Sequence, residues 1–220
     1  GRTGAGGNRG TSAARRSANA GRRTRTAGVR DAAAGDVIPS SVPATNFTIT
    51  DDVRLGKGGE VAKYNDNVAA IRIVKALTAE KRRATPDEQR QIARFVGWGG
   101  IPAAFRNRKD GAVRSGWEAR VNELESLLSK DELDAARRST MDAHYTSQPV
   151  VQSMWKAAER LGFRGGIVLE PSVGVGNFLG LQPEGLRGDT RFIAAEYEPL
   201  TAAIAKALYP QASILPGGFQ

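Results

Sequence analysis

Apolar residues recur along this chain with two different periods, and the change falls near its middle. From Asn65 onward, Val68, Ile71, Val74 and Leu77 return every three residues, predicting a helix capped by Asn65 or Asp66. "TPDEQRQIARFVGWGG" predicts the next helix. Thr85 and Glu88 have capping-box spacing, Pro86 sits at the first helical position, and Ile92, Phe95 and Val96 form a stripe that Gly97 ends. Trp117, Val121, Leu124 and Leu128 mark a third helix. Ser129 and Glu132 repeat the capping box for a fourth, burying Leu133 and Ala136. Before all of these, "TNFTIT" alternates Phe47 and Ile49 with polar residues, as a short strand would.

The second half reads differently. Ser147 is placed to cap a helix carrying Val150, Val151, Met154, Trp155, Ala158 and Leu161, closed by Gly162. "GIVLE" (166–170) predicts a short buried strand, followed by a glycine turn and a helix. "RFIAAEYEP" (191–199) is a second strand ending near Glu196, "LTAAIAKALYP" (200–210) a helix stopped by Pro210, and "ASIL" (212–215) a third strand. Strand, helix, strand, helix, strand predicts a parallel sheet with crossover helices, part of a doubly wound α/β fold.

Composition narrows the chemistry. The 220 residues include no Cys and one His, His144, which excludes disulfides, Cys-based zinc sites, a thiol nucleophile and His-rich metal sites. No metal is expected. No stretch nears the roughly 20 apolar residues of a membrane span, and no secretory leader opens the chain. Residues 1–40 hold eight Arg against two Asp, a net +6 of the chain's +9. Being Gly-, Ala- and Arg-rich, they predict a disordered tail over 1–44. A solvated linker is favoured there over a polycationic arm on nucleic acid. Residues 45–140 follow as a mainly helical module and 141–220 as the α/β part. Trp98, in a glycine-rich turn, is expected to pack under that turn rather than stack on bases.

The candidate site lies in "VLEPSVGVGNF" (168–178). In a parallel sheet, ligands bind beyond the carboxyl ends of the strands. Gly174 and Gly176 lie there, and Glu196, 20 residues beyond Gly176, stands where an acid grips ribose hydroxyls. The dinucleotide pattern Gly-x-Gly-x-x-Gly is broken, because Gly180 comes one place late. Glu170 would repel a pyrophosphate yet suit the sulfonium and ammonium of S-adenosylmethionine. The acid-then-glycine order therefore favours a methyl donor over NAD, with an ordinary β–α turn as the plain alternative.

"AHYTSQPVV" (143–151) followed by "VLEPSVGVGNFLG" (168–180) resembles the amino-terminal half of adenine-N6 DNA methyltransferases. The resemblance extends to large phage- and plasmid-borne polypeptides that join such a methylase to a superfamily 2 helicase, some acting against host restriction. "ATPDEQRQIARFVGWGGIPAAF" (84–105) and "ELDAARRSTMDAHYT" (132–146) share it, so it spans about residues 45–220. It implies a truncated Rossmann-like S-adenosylmethionine-dependent methyltransferase fold. Thr146 and the run Glu170, Pro171, Ser172, Gly174, Gly176 would hold the methionine part. Tyr145 and Phe178 join them as cofactor-binding residues. Glu196 would bind the ribose, and Tyr197 and Phe219 would lie near the adenine. Members often carry an acid beside the Phe219 position, where this chain has Gly218 and Gln220.

The family's Asn/Asp-Pro-Pro-aromatic catalytic loop is absent from the 220 residues. The chain is thus expected to be a donor-binding half with no catalytic residue of its own, its partners being DNA, a C-terminal methylase remainder and a helicase domain. The implied location is the bacterial cytoplasm. His144 is expected to shape the loop over the cofactor rather than act as a general base. Two other readings stand beside this one: a non-enzymatic DNA-binding or antirestriction protein on a methylase scaffold, and an NAD-dependent oxidoreductase.

Overall fold

Residues 166–216 supply three parallel strands, and the helices from residue 60 onward pack beside them. A computed structural model describes residues 41–53, 55–142 and 145–218. The expectations for residues 1–40, His144 and Phe219 fall outside these. The described residues belong to one unit, Ile38–Gln220.

Helix α1, Glu60–Glu80, starts five residues before the periodicity suggests. Gly59 occupies its N-cap position without a side-chain cap bond, so Asn65 and Asp66 lie inside the helix. Helix α2, Pro86–Ile92, has the expected capping box: the Glu88 N–H donates to Thr85 Oγ1 and the Thr85 N–H to Glu88 Oε2. It stops before Phe95 and Val96. The turn that follows buries Phe95 and Trp98, and Trp98 meets Phe95 and Phe105 edge-on. A buried indole cannot stack on bases.

Helix α3, Glu118–Leu127, follows Trp117 at its N-cap. Helix α4, Lys130–Asp142, starts from a second capping box, with Ser129 Oγ accepting from the Glu132 N–H and Glu132 Oε2 from the Ser129 N–H. Ion pairs fasten α1 to these later helices, Arg72 to Glu123 and Lys75 to Glu132, each at 2.7 Å.

Helix α5, Gln148–Arg160, leads into strand β1, Gly166–Glu170. A single helical turn, α6, Asn177–Gly180, follows the glycine turn. Strand β2, Thr190–Glu196, helix α7, Pro199–Leu208, and strand β3, Ser213–Pro216, complete the sequence of elements. The sheet order is β1-β2-β3, all parallel, with Glu170 opposite Ala194 and Ala194 opposite Ile214. The fold class is mixed α/β, compatible with a Rossmann-like core.

Two expectations change. "TNFTIT" is not a strand. It is an extended strap whose Phe47 and Ile49 N–H groups donate to Leu208 and Gly180 carbonyls on two different elements, so no ladder forms. β1 is also not buried on both sides. Side chains alternate along a strand. Phe192, Ala194 and Ile214 face the helices and are buried, Phe192 against the Trp155 ring of α5. The opposite face carries Ile167, Leu169, Ile193 and Leu215, which are 70%, 51%, 38% and 44% exposed. Right-handed crossovers put both connecting segments on one side, so the apolar second face is left bare. Val150, Met154 and Leu161 of the α5 region are exposed too.

Candidate functional site

Parallel pairing brings two acids to the same corner of the sheet. Glu170 ends β1 opposite Ala194, and Glu196 follows Ala194 by two residues on the same side of β2. Both therefore stand at the carboxyl ends of neighbouring strands, on the helix-covered face. The turn between β1 and α6 lies beside them. Its Val173 N–H donates to the Ala195 carbonyl at 2.9 Å, and its Gly174 N–H donates to Glu196 Oε2 at 2.8 Å. Glu196 Oε1 accepts from the Glu198 N–H at 3.0 Å. Each Glu196 oxygen thus holds one N–H and retains capacity for another donor.

Glu170 is held more loosely. Its Oε1 accepts from the Ser172 N–H at 3.4 Å. Burial pushes its carboxyl above the usual carboxylate range, with the Ser172 N–H pulling the other way. A desolvated acid without a strong partner is one that a cation would stabilise.

Gly174 and Gly176 both have positive φ, +55° and +86°, as the tight turn requires. Each also presses against a tyrosine ring of the chain itself. A Cβ on Gly174 would lie 2.8 Å from Tyr145 Cε1, and one on Gly176 would lie 2.2 Å from Tyr209 Cε2. Their bare Cα atoms admit these rings. Tyr145 is partly buried. Burial pushes its phenol well up, with Thr201 pulling the other way and the Glu196 and Glu198 carboxylates adding to the rise.

The remaining sequence candidates divide. Thr146, Pro171 and Ser172 are exposed around the turn, and the Thr146 carbonyl accepts from Asn177 Nδ2 at 3.2 Å. Tyr197 is 78% exposed just past β2, next to Gly218. Phe178 packs against the hydrophobic core, and its carbonyl accepts from Trp155 Nε1 at 3.0 Å. Glu198 was not singled out by the sequence, although Glu-Pro before an apolar helix is a capping signal. Its carboxylate accepts from the Leu200 and Thr201 N–H groups at the start of α7. Among the described residues, no group of three or more acids or histidines is arranged to hold a metal ion. No helix there is long and apolar enough to cross a membrane.

No family model, curated protein or solved structure matches this chain. The chemistry of the corner therefore rests on its own donor set. It presents two carboxylates, one exposed phenol and a turn whose following helix is one turn long. One turn sums too few peptide dipoles to hold a pyrophosphate well, and the carboxylates oppose one. A group bearing positive charge would be favoured beside these two carboxylates.

Proposed function

We propose that residues 141–220 are the S-adenosylmethionine-binding half of a DNA adenine-N6 methyltransferase, carried on a longer methylase–helicase polypeptide of the bacterial cytoplasm. The carrying observation is the hydrogen bond from the Gly174 N–H to Glu196 Oε2, with Glu170 on the same face of the sheet. In this reading Glu196 uses its remaining acceptor capacity for the ribose hydroxyls. Glu170 neutralises the sulfonium and ammonium. Tyr197 lies beside the adenine, with Phe219 joining it by the resemblance alone. Tyr145, Thr146, Pro171, Ser172, Gly174 and Gly176 form the wall around the methionine part. Phe178 supports that wall from the core. When bound, the donor supplies an electrophilic methyl group for an adenine amino nitrogen.

The chain's residues bind and orient the donor; the groups that present the target base are proposed to come from elsewhere in the polypeptide. The bare apolar face of the sheet supports this reading. Parallel sheets are covered on both faces, and Ile167, Leu169, Ile193 and Leu215 await such a cover. A further parallel strand against β1, with its helix, would supply it.

Calorimetry on carboxylate variants tests the assignment. Glu196→Gln keeps the size of the side chain but loses its charge, and Glu196→Ala also releases the Gly174 N–H. Each is expected to weaken S-adenosylmethionine binding about tenfold or more, the worth of one or two charged hydrogen bonds. Unchanged binding in both variants would end the ribose assignment.

A non-enzymatic DNA-binding role is the second reading, favoured by the net +6 of residues 1–40. Deleting residues 1–40 should then abolish DNA binding and flatten its dependence on salt.

A further inference from the structure

A buried amide in the helical module reaches the glycine turn through one tyrosine ring. Asn67, on α1, is fully buried. Both ends of its side-chain amide are used. Nδ2 donates to the Gly97 carbonyl at 2.7 Å, and Oδ1 accepts from the Val96 N–H at 2.9 Å. These two bonds clamp the Val96–Gly97 turn, and Trp98 anchors it from below between Phe95 and Phe105. Gly97 has φ +71°. A Cβ there would lie 2.9 Å from Tyr145 Cε2. The other edge of the same ring, Cε1, would lie 2.8 Å from a Cβ on Gly174. Tyr145 is therefore gripped between two glycines, one on each half of the fold. Gly174 in turn holds Glu196.

We infer that Asn67 and Gly97 are positioning residues for the nucleoside site, setting the place of the Gly174 turn and Glu196 by fixing the Tyr145 ring. The helical module is then a built part of the site. Interiors are close-packed and stiff, so a ring with no slack on either edge transmits a shift from one turn to the other. That the positioned site takes a nucleoside rests on the function proposed above; the mechanical linkage does not.

The experiment uses the full chain and two measurements. Amide hydrogen exchange reports on the 172–176 turn without any ligand, and calorimetry reports S-adenosylmethionine affinity. Gly97→Ala adds a methyl group against Tyr145. It is expected to raise exchange at Gly174 by about tenfold and weaken binding to a similar degree, while exchange across 118–127 stays unchanged. In a Tyr145→Ala background the same substitution should change either reading by less than about twofold, because the ring that carries the push is gone. Tyr145→Ala alone should speed exchange at both the 96–98 and 172–176 turns, which keeps the linkage testable if Gly97→Ala fails to fold. Exchange at Gly174 indifferent to Gly97→Ala, or equally sensitive with and without Tyr145, overturns the inference. Wild-type protein that binds no S-adenosylmethionine overturns the proposed function, while the exchange results still judge the linkage.

Discussion

Glu170 and Glu196 are both acids at strand ends, and their surroundings treat them differently. Glu196 is fastened by two backbone N–H groups, from Gly174 and Glu198. Glu170 has one long contact and a carboxyl raised by burial. For folding alone, a raised acid gives stability on the acid side of its own pKa and takes it away above. Binding a cation has the opposite sign, since it needs the ionised form. S-adenosylmethionine affinity is therefore expected to fall as the solution is acidified, beginning above the ordinary 4.5 of a glutamate. Glu170→Gln should bind about tenfold more weakly at pH 7 and show a flatter profile down to pH 4.5. Calorimetry across that range checks both. The place of Glu196 at the end of β2 was legible from the apolar run before it. The Tyr145–Gly97 contact was not, because nothing local in the sequence pairs residues 48 positions apart.

Elements with strong local signals came out as the sequence suggests. Both capping boxes form, at Thr85/Glu88 and Ser129/Glu132. The box at α2 is reinforced by Arg82, which donates to both oxygens of Glu88 at 2.7 Å. That pairing first, and the Thr85 bonds with it, hold the Glu88 carboxyl down to about 2. Because it is depressed from 4.5, its contribution is fully present above pH 4.5 and drains away as the pH falls toward 2. Glu88→Gln should thus cost about 1–2 kcal/mol at pH 7 and far less near pH 2, read by thermal or urea unfolding. Elsewhere, tertiary contacts overrode local pattern. The helix after the glycine turn stops at Gly180, where a Cβ would meet Tyr209 and Ile49 at 2.4 and 2.5 Å. α1 begins early because its stripe, from Tyr64 onward, finds partners in Trp98 and Trp117. The continuous apolar run of β1 reads as buried on two faces, but periodicity reports suitability for burial and not whether a cover is present.

Across the molecule, one hydrophobic cluster runs from the helices to the sheet, joining Ile71, Trp98 and Ile92 with Ile204, Leu208 and Ile214. The two faces of the sheet should respond to mutation in opposite ways. Phe192→Ala, under Trp155, is expected to cost about 3–5 kcal/mol. Ile167→Thr and Leu215→Thr together should cost less than about 1 kcal/mol and improve solubility, because those side chains are already in water. Urea unfolding and light scattering of the three proteins test this. A large loss from the Ile167/Leu215 pair would mean that the second face is already covered.

The central claim is that the acidic corner at Glu170, Gly174 and Glu196 takes a positively charged nucleoside and refuses a pyrophosphate. Calorimetry of the unmodified chain with S-adenosylmethionine and with NAD, at pH 7.5 in the same low-salt buffer, tests it most directly. Saturable binding of S-adenosylmethionine with no measurable heat from NAD is the predicted result. Tight NAD binding with none for the methyl donor, or no binding of either, would contradict it.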